Sequence, residues 1–387
     1  MRSKLLFLLT TVLILALATA AFAQPGPPPP PELTGDVILE GLNGPQGVHV
    51  DADGNLWVID SGIGGEDTVE IIDPITYEVV EAPFGNSSQL IRVTPGGEPE
   101  VIANLPAAIG GQDFLGGGRI VDLDGEIYIT HGIWHLNLGE EVTIPYFSQV
   151  VRIGMDGEPT TVADLWAHEL AENPDETTNF ETHPYGIAAG PDGLLYVADA
   201  AANALLTVDP ETGETATVAG FEGLPGIFPS QWREGALITD PVPTGVVVNE
   251  DGTALVSYLS GAPFVPGSAK VVQVSPEGEV SDYATGLTML VDLKRGPDGN
   301  LYAVQHGLFT AEGPVFNSGA VIRILEDGTA EVVIDGLPFA TSIAFDADGN
   351  GYVAINGAAI PEAGAVVYYE GLTEMEGQPL PAMGPQN

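Results

Sequence analysis

Short apolar runs alternate with tight polar turns along almost the whole chain, and most runs are rich in β-branched or aromatic residues. The stretch His183 to Asp199, HPYGIAAGPDGLLYVAD, shows the unit: one run through Ile187 to Ala189, a Pro191-Asp192-Gly193 turn, and a second run from Leu194 to Ala198. Asp-Gly between two such runs predicts a β-hairpin. The phrase recurs from Gly47, Gly118, Gly245, Asp292 and Ser342, with the Asp of the Asp-Gly pair at 53, 124, 192, 251, 298 and 348. Units returning every 40–70 residues or so indicate a propeller or a similar array.

Two further runs follow each hairpin. In the fifth unit these are Ala320 to Leu325 and Ala330 to Ile334, joined by Asp327-Gly328. The sixth unit is one run short, because nothing strand-like follows Ala365 to Tyr369. The missing pattern lies at the other end, where GDVILEGL (Gly35 to Leu42) matches the AEVVIDGL that ends the fifth unit. The expected fold is therefore all-β: a six-bladed β-propeller of four-stranded antiparallel blades over residues 36–372. Its ring is expected to be closed by the N-terminal strand (residues 36–42) completing the last blade, which would remove open sheet edges. Trp166 to Asn173 is the one stretch that reads as a helix.

Arg2 and Lys4, an apolar run from Leu5 to Leu17 and Ala21-Phe22-Ala23 predict a signal peptide over residues 1–23. A Pro-rich linker (24–35) and a C-terminal tail (373–387) flank the propeller. These features predict a secreted or extracytoplasmic protein with no membrane span once the signal is removed. There is no cysteine, so disulfides are excluded and the fold rests on its core. The net charge of −44 excludes nucleic acid as a partner, by repulsion. A monomer is expected.

In a four-stranded blade the first and third turns share one face of the disc, and here they are all short. The connections on the other face include 62–88, 105–116, 132–148, 166–182 and 222–242. Long loops on a rigid scaffold are where binding resides, so a small molecule or a protein is expected on that face.

Aligning the units exposes outliers. Six residues before the Asp of each Asp-Gly stand Gly47, Gly118, Gly186, Gly245, Asp292 and Ser342, a small-residue column that Asp292 breaks. One residue on, Arg119 breaks a column of Val48, Ile187, Val246, Leu293 and Ile343. Such breaks mark either functional sites or structural ion pairs. At the end of the second run stand Asp60, His131, Asp199, Tyr258, Gln305 and Ile355, with His183 and His306 on the same face. The ligand-binding candidates are Asp60, Arg119, Asp199, Asp292, His306 and Gln46. His131 and His183 are the candidate catalytic bases, and Asp60, Asp199 and Asp292 could hold a divalent cation such as Ca²⁺. Against this, Asp60 and Asp199 could simply cap turns. The two Asp-Ala-Asp-Gly-Asn segments at 51–55 and 346–350 lack the closing Glu of a calcium loop and read as hairpin turns.

The phrases GPQGVHVDADGNLWVID and HPYGIAAGPDGLLYVAD resemble NHL-type and streptogramin-lyase-type propeller repeats. With VILEGLNGPQGVHVDADGNLWVIDSG at the start and GxxIRI…DGxxEVVIDGL blade endings, the mature chain resembles the ScyD/ScyE family. That resemblance implies a secreted six-bladed propeller and no defined reaction. Gly116 to Ile120 is similar to the GGRI of soluble quinoprotein sugar dehydrogenases, with Phe114-Leu115 where that family has His-Asn. Gluconolactonase-type propellers open with Glu-Gly-Pro; Asn43-Gly44-Pro45 stands here. Two functions follow as expectations: an accessory binding propeller, or a metal-assisted hydrolase or lyase acting on a small organic molecule.

Overall fold

The structure is a computed structural model that describes residues 33–72, 79–110, 113–132, 135–136, 144–310, 312–358 and 361–380. The expected signal peptide, most of the linker and the last seven residues of the tail lie outside the described residues. Every blade lies within the unit Pro31–Asn387.

Six antiparallel sheets follow one another along the chain, and each is a blade. Blade 3 is the plainest, with strands Pro184–Ala189, Leu195–Asp199, Ala204–Val208 and Thr215–Gly220 paired in order. Its first turn closes through Gly193, whose φ of 80° suits a residue without a side chain. The Asp-Ala-Asp-Gly-Asn turns are held internally: Asp51 Oδ1 accepts from the Asp53 and Asn55 amides at 3.0 and 2.8 Å, and Asp346 repeats the pattern. These aspartates serve their own hairpins.

The apolar faces of neighbouring blades meet in a succession of shared cores. Ile59, Leu90 and Leu105 of blade 1 pack with Ile120, Ile129 and Val151 of blade 2. At the far end of the chain, Ala344, Ala354 and Val366 of blade 6 pack with Val48, Val58 and Ile91 of blade 1. The first strand, Asp36–Leu42, pairs antiparallel with Gly364–Tyr369, so blade 6 is built from both ends of the propeller.

Blade 1 departs from the expected pattern. The segment read as a loop over 62–88 contains strand Asp67–Ile72, paired with a long strand Val79–Val93. The fourth strand likewise runs on, as Pro99–Gly110, and pairs with Asp113–Leu115. The cause is local: Thr68 to Ile71 alternate polar and apolar, 79–84 alternate exposed and more buried positions, and Ile71 and Ala82 bury with Ala108, Leu115 and Phe147 in a satellite core. The helix spans Leu165–Glu172, with the Asp164 side chain accepting from the Ala167 amide at its start.

Candidate functional site

The innermost strands of blades 1 to 5 each carry a register shift near their start, for example between Pro45 and Gly47 and between Leu290 and Asp292. A bulge of this kind turns backbone groups out of the ladder, and the bulge carbonyls of Gln46 and Val291, with that of Thr341 just ahead of blade 6's innermost strand, meet one guanidinium. Arg119 Nη2 donates to the Val291 and Thr341 carbonyls at 2.6 and 2.8 Å, and Nη1 donates to the Gln46 carbonyl. Its Nε lies 3.7 Å from Asp292 Oδ1, with side-chain exposures of 1% and 2%. Asp292 Oδ2 accepts from Ser342 Oγ at 2.6 Å and from the Ile343 amide at 3.1 Å. Arg119 and Asp292 therefore form a sealed pair that ties blades 1, 2, 5 and 6 together.

Pairing also corrects the column assigned to Arg119. Five residues separate Val50 from its partner Leu56, but four separate the equivalent Asp122 from Ile127. Counting back from Asp-Gly therefore misplaces blade 2 by one residue. Arg119 stands in the same column as Gly47, Gly186, Gly245, Asp292 and Ser342, which crowds the next blade's innermost strand. A Cβ on Gly245 would lie 2.4 Å from the Leu293 nitrogen.

The residues ending the second strands do not converge on the axis. Asp60, His131 and Asp199 are 3%, 0% and 0% exposed. Asp199 Oδ1 accepts from the amides of His183, Ala201 and Ala202, and Oδ2 from Thr182 Oγ1. It is a turn cap, and burial still pushes its pKa above the usual carboxylate range. Asp60 Oδ2 accepts from the Asn43 amide at 2.8 Å, while Oδ1 is buried without a partner. Burial raises its pKa to about 6. His131 is stacked on Phe147 at 4.9 Å, its Nε2–H donating to the Pro106 carbonyl at 2.9 Å. Burial lowers its pKa to about 4.

What gathers over the axis on the long-loop face is a different set. The Tyr185 ring lies 4.4 Å from the Arg119 guanidinium, and its hydroxyl donates to Gln46 Oε1 at 3.0 Å. Gln46 Nε2 donates to the Gly357 carbonyl at 2.7 Å, so Tyr185 and Gln46 bridge blades 3, 1 and 6 as a floor. His183 stands edge-on to Tyr185 at 5.5 Å. Burial, then the Arg119 charge, lowers its pKa to about 3. His306 also feels Arg119 and is lowered, chiefly by burial. Its Nδ1–H donates to the Ala340 carbonyl at 2.9 Å, and its ring lies 5.5 Å from Phe339, which in turn meets Phe316 at 5.7 Å. Of the sequence candidates, the structure brings Gln46, His183 and His306 together around Arg119. Tyr185, Phe339 and Phe316 were missed. Only Tyr185 carried a signal, as a large residue beside the glycine column.

Two of the three candidate aspartates, Asp199 and Asp292, have no oxygen free for a cation. Among the described residues no three His, Asp or Glu side chains are grouped to hold a metal ion. A cleft of ≈ 550 Å³ lies at the rim of blades 4 and 5, walled by Leu287, Gln305, Leu308, Val332 and Leu380. Asp335 is its one titratable lining residue. Among the described residues no helix is long and apolar enough to cross a membrane.

Residues 186–359 match the family model described as the SMP-30/Gluconolactonase/LRE-like region. No curated protein is significantly similar in sequence. Among solved structures, the chain is similar to a putative oxidoreductase (glucose dehydrogenase) from Thermus thermophilus, at 16% identity and a TM-score of 0.50, covering 86% of this chain and 98% of that one. It is also similar to the calcium-binding protein regucalcin from Agrobacterium tumefaciens, at 14% identity and a TM-score of 0.49, covering 89% and 95%. Virginiamycin B lyase from Staphylococcus aureus matches at 14% identity and a TM-score of 0.44, covering 86% and 99%. At these identities the likeness concerns the fold, and the chain is a six-bladed propeller with a region of SMP-30/gluconolactonase/LRE-like sequence.

Proposed function

We propose that the protein is an exported binding propeller of the ScyD/ScyE type that holds a small molecule, with a flat apolar body and a polar edge, on its long-loop face. The observation that carries this reading is the pair of ring clusters, His183–Tyr185 and His306–Phe339–Phe316, set about the Gln46 amide above a buried guanidinium. Rings supply contact area, and one amide fixes orientation. The basic and apolar pattern of residues 2–23 supports export. Proton-transfer chemistry is disfavoured by magnitude. A general base works best with a pKa near the working pH, and the imidazoles of His183 and His131 titrate at about 3 and about 4. His131 is also sealed from any ligand.

The test is binding of the aromatic probe anilinonaphthalene sulfonate to the folded protein. The double variant Tyr185→Ala/Phe339→Ala should weaken it by about tenfold or more. Unchanged affinity would rule out a site lined by these rings.

One observation favours a second reading, a metal-assisted hydrolase or lyase: Asp60 Oδ1 is buried with no hydrogen-bond partner, as an oxygen awaiting a cation would be. A Ca²⁺-dependent rise in melting temperature, lost in Asp60→Asn, would support it over simple binding.

A further inference from the structure

We propose that the tight-turn half of the central channel is a second site, which binds a small oxyanion through Lys294 and His49. Side chains two apart on a strand share a face, so Lys294 lies one step beyond Asp292 along strand Leu290–Arg295, toward the tight turn. His49 lies one step beyond Gly47 in the same way. Pairing places His49, Val121, Ala188, Val247, Lys294 and Ala344 at one level, each next along from the column that holds Arg119 and Asp292. Four of the six are apolar, two are basic, and none is acidic.

His49 and Lys294 belong to blades 1 and 5, with blade 6 between them. The charge of Lys294 nevertheless acts on His49, and that of Arg119 acts on Lys294. Lys294 therefore lies within electrostatic range of both His49 and Arg119, with only the small Ala344 of blade 6 at the same level between it and His49. The carboxylate facing them is Asp292, whose oxygens are taken by Ser342 Oγ, the Ile343 and Leu293 amides and the Arg119 ion pair. Asp51, behind His49, is engaged by Trp57 Nε1 and the side chain of Asn55.

No hydrogen bond among the described residues holds the Lys294 ammonium, and His49 Nε2 is buried without a partner. Both residues are half-buried rather than sealed. The chain as a whole carries −44, yet at this level Lys294 and Arg119 balance Asp292 and Asp51, and both carboxylates are already engaged by hydrogen bonds. Charge-assisted hydrogen bonds to an oxyanion would satisfy both orphan donors at once. Burial disfavours the charged form of each group, and holds His49 down to about 4. An arriving anion reverses that, so binding draws a proton onto the site.

The experiment is calorimetric titration of the full chain with sulfate, whose own charge is constant across the accessible pH range, in buffers of differing ionisation enthalpy. One sulfate should bind per chain with proton uptake. Lys294→Met should weaken it by about tenfold or more, and His49→Gln by a smaller factor with reduced uptake. No sulfate binding to the parent, or parent-like affinity in a folded Lys294→Met, overturns the proposal. Should Lys294→Met fail to fold, parent-like affinity and proton uptake in His49→Gln overturn it instead.

Discussion

Arg119 of blade 2 and Asp292 of blade 5 meet on the propeller axis at 3.7 Å, each almost wholly withdrawn from water. Taking two ions out of water is expensive, and Coulomb attraction alone does not recover the cost. The other bonds complete the balance: three carbonyls and an aromatic face for Arg119, a hydroxyl and two amides for Asp292. Removing one partner strands the other, so Asp292→Asn and Arg119→Met should each lower unfolding stability by about 3–5 kcal/mol. The double variant should lose less than the sum. Chemical denaturation of all four proteins in a double-mutant cycle checks this, and strict additivity would show that the ion pair is not coupled.

Glu169 gives a pH signature of the opposite kind. It is 1% exposed, its Oε2 has no partner, and Asp199, Asp175 and Glu181 are close by. Burial, then the Asp199 charge, raises its pKa to about 8 from an ordinary 4.5. A carboxyl whose folded pKa is raised contributes fully below its unfolded pKa and loses that contribution as pH climbs toward the folded value. Glu169→Gln should therefore match the parent near pH 4 and exceed it by roughly 2 kcal/mol at pH 7. Melting curves at the two pH values suffice; a variant less stable at both would contradict the assignment.

His131 acts in the other direction. Its folded pKa of about 4 lies below the ordinary 6.5, so its contribution is present above pH 6.5 and is lost as pH falls toward 4. His131→Gln should flatten the acid limb of stability in that window, at a constant cost of about 1–2 kcal/mol for disturbed packing on Phe147 and the Pro106 carbonyl. An unchanged acid limb would mean that His131 does not titrate there.

Deleting residues 36–42 removes the strand paired with Gly364–Tyr369 and exposes a new sheet edge. The melting temperature should fall by roughly 10 °C or more, with a concentration-dependent tendency to associate. Parent-like melting would show that the propeller does not depend on its first strand.

The blades were legible because each repeats a local rule: two apolar runs folded about a turn whose glycine needs a positive φ. Arg119 was legible as an outlier, but not its place, because one hairpin is a residue shorter and the count from Asp124 slips. The ribbons of blade 1 were hidden by reading length as looseness, although Thr68 to Ile71 alternate like a strand. Asp60, Asp199 and Asp292 are grouped as cation candidates from their places in the aligned repeats. Which neighbour each carboxylate faces depends on blade-to-blade geometry that no single repeat encodes. Tyr185 and Lys294 escaped notice for the same reason, since their meaning comes from what stands across the axis.

The guanidinium held at the waist of the disc makes the axis a stopper rather than a conduit. Its charge reaches His183 and His306 on one side and Lys294 on the other, so a change of chemistry at either end is felt at the opposite one through Arg119. The two mouths of the disc thus share one charged base.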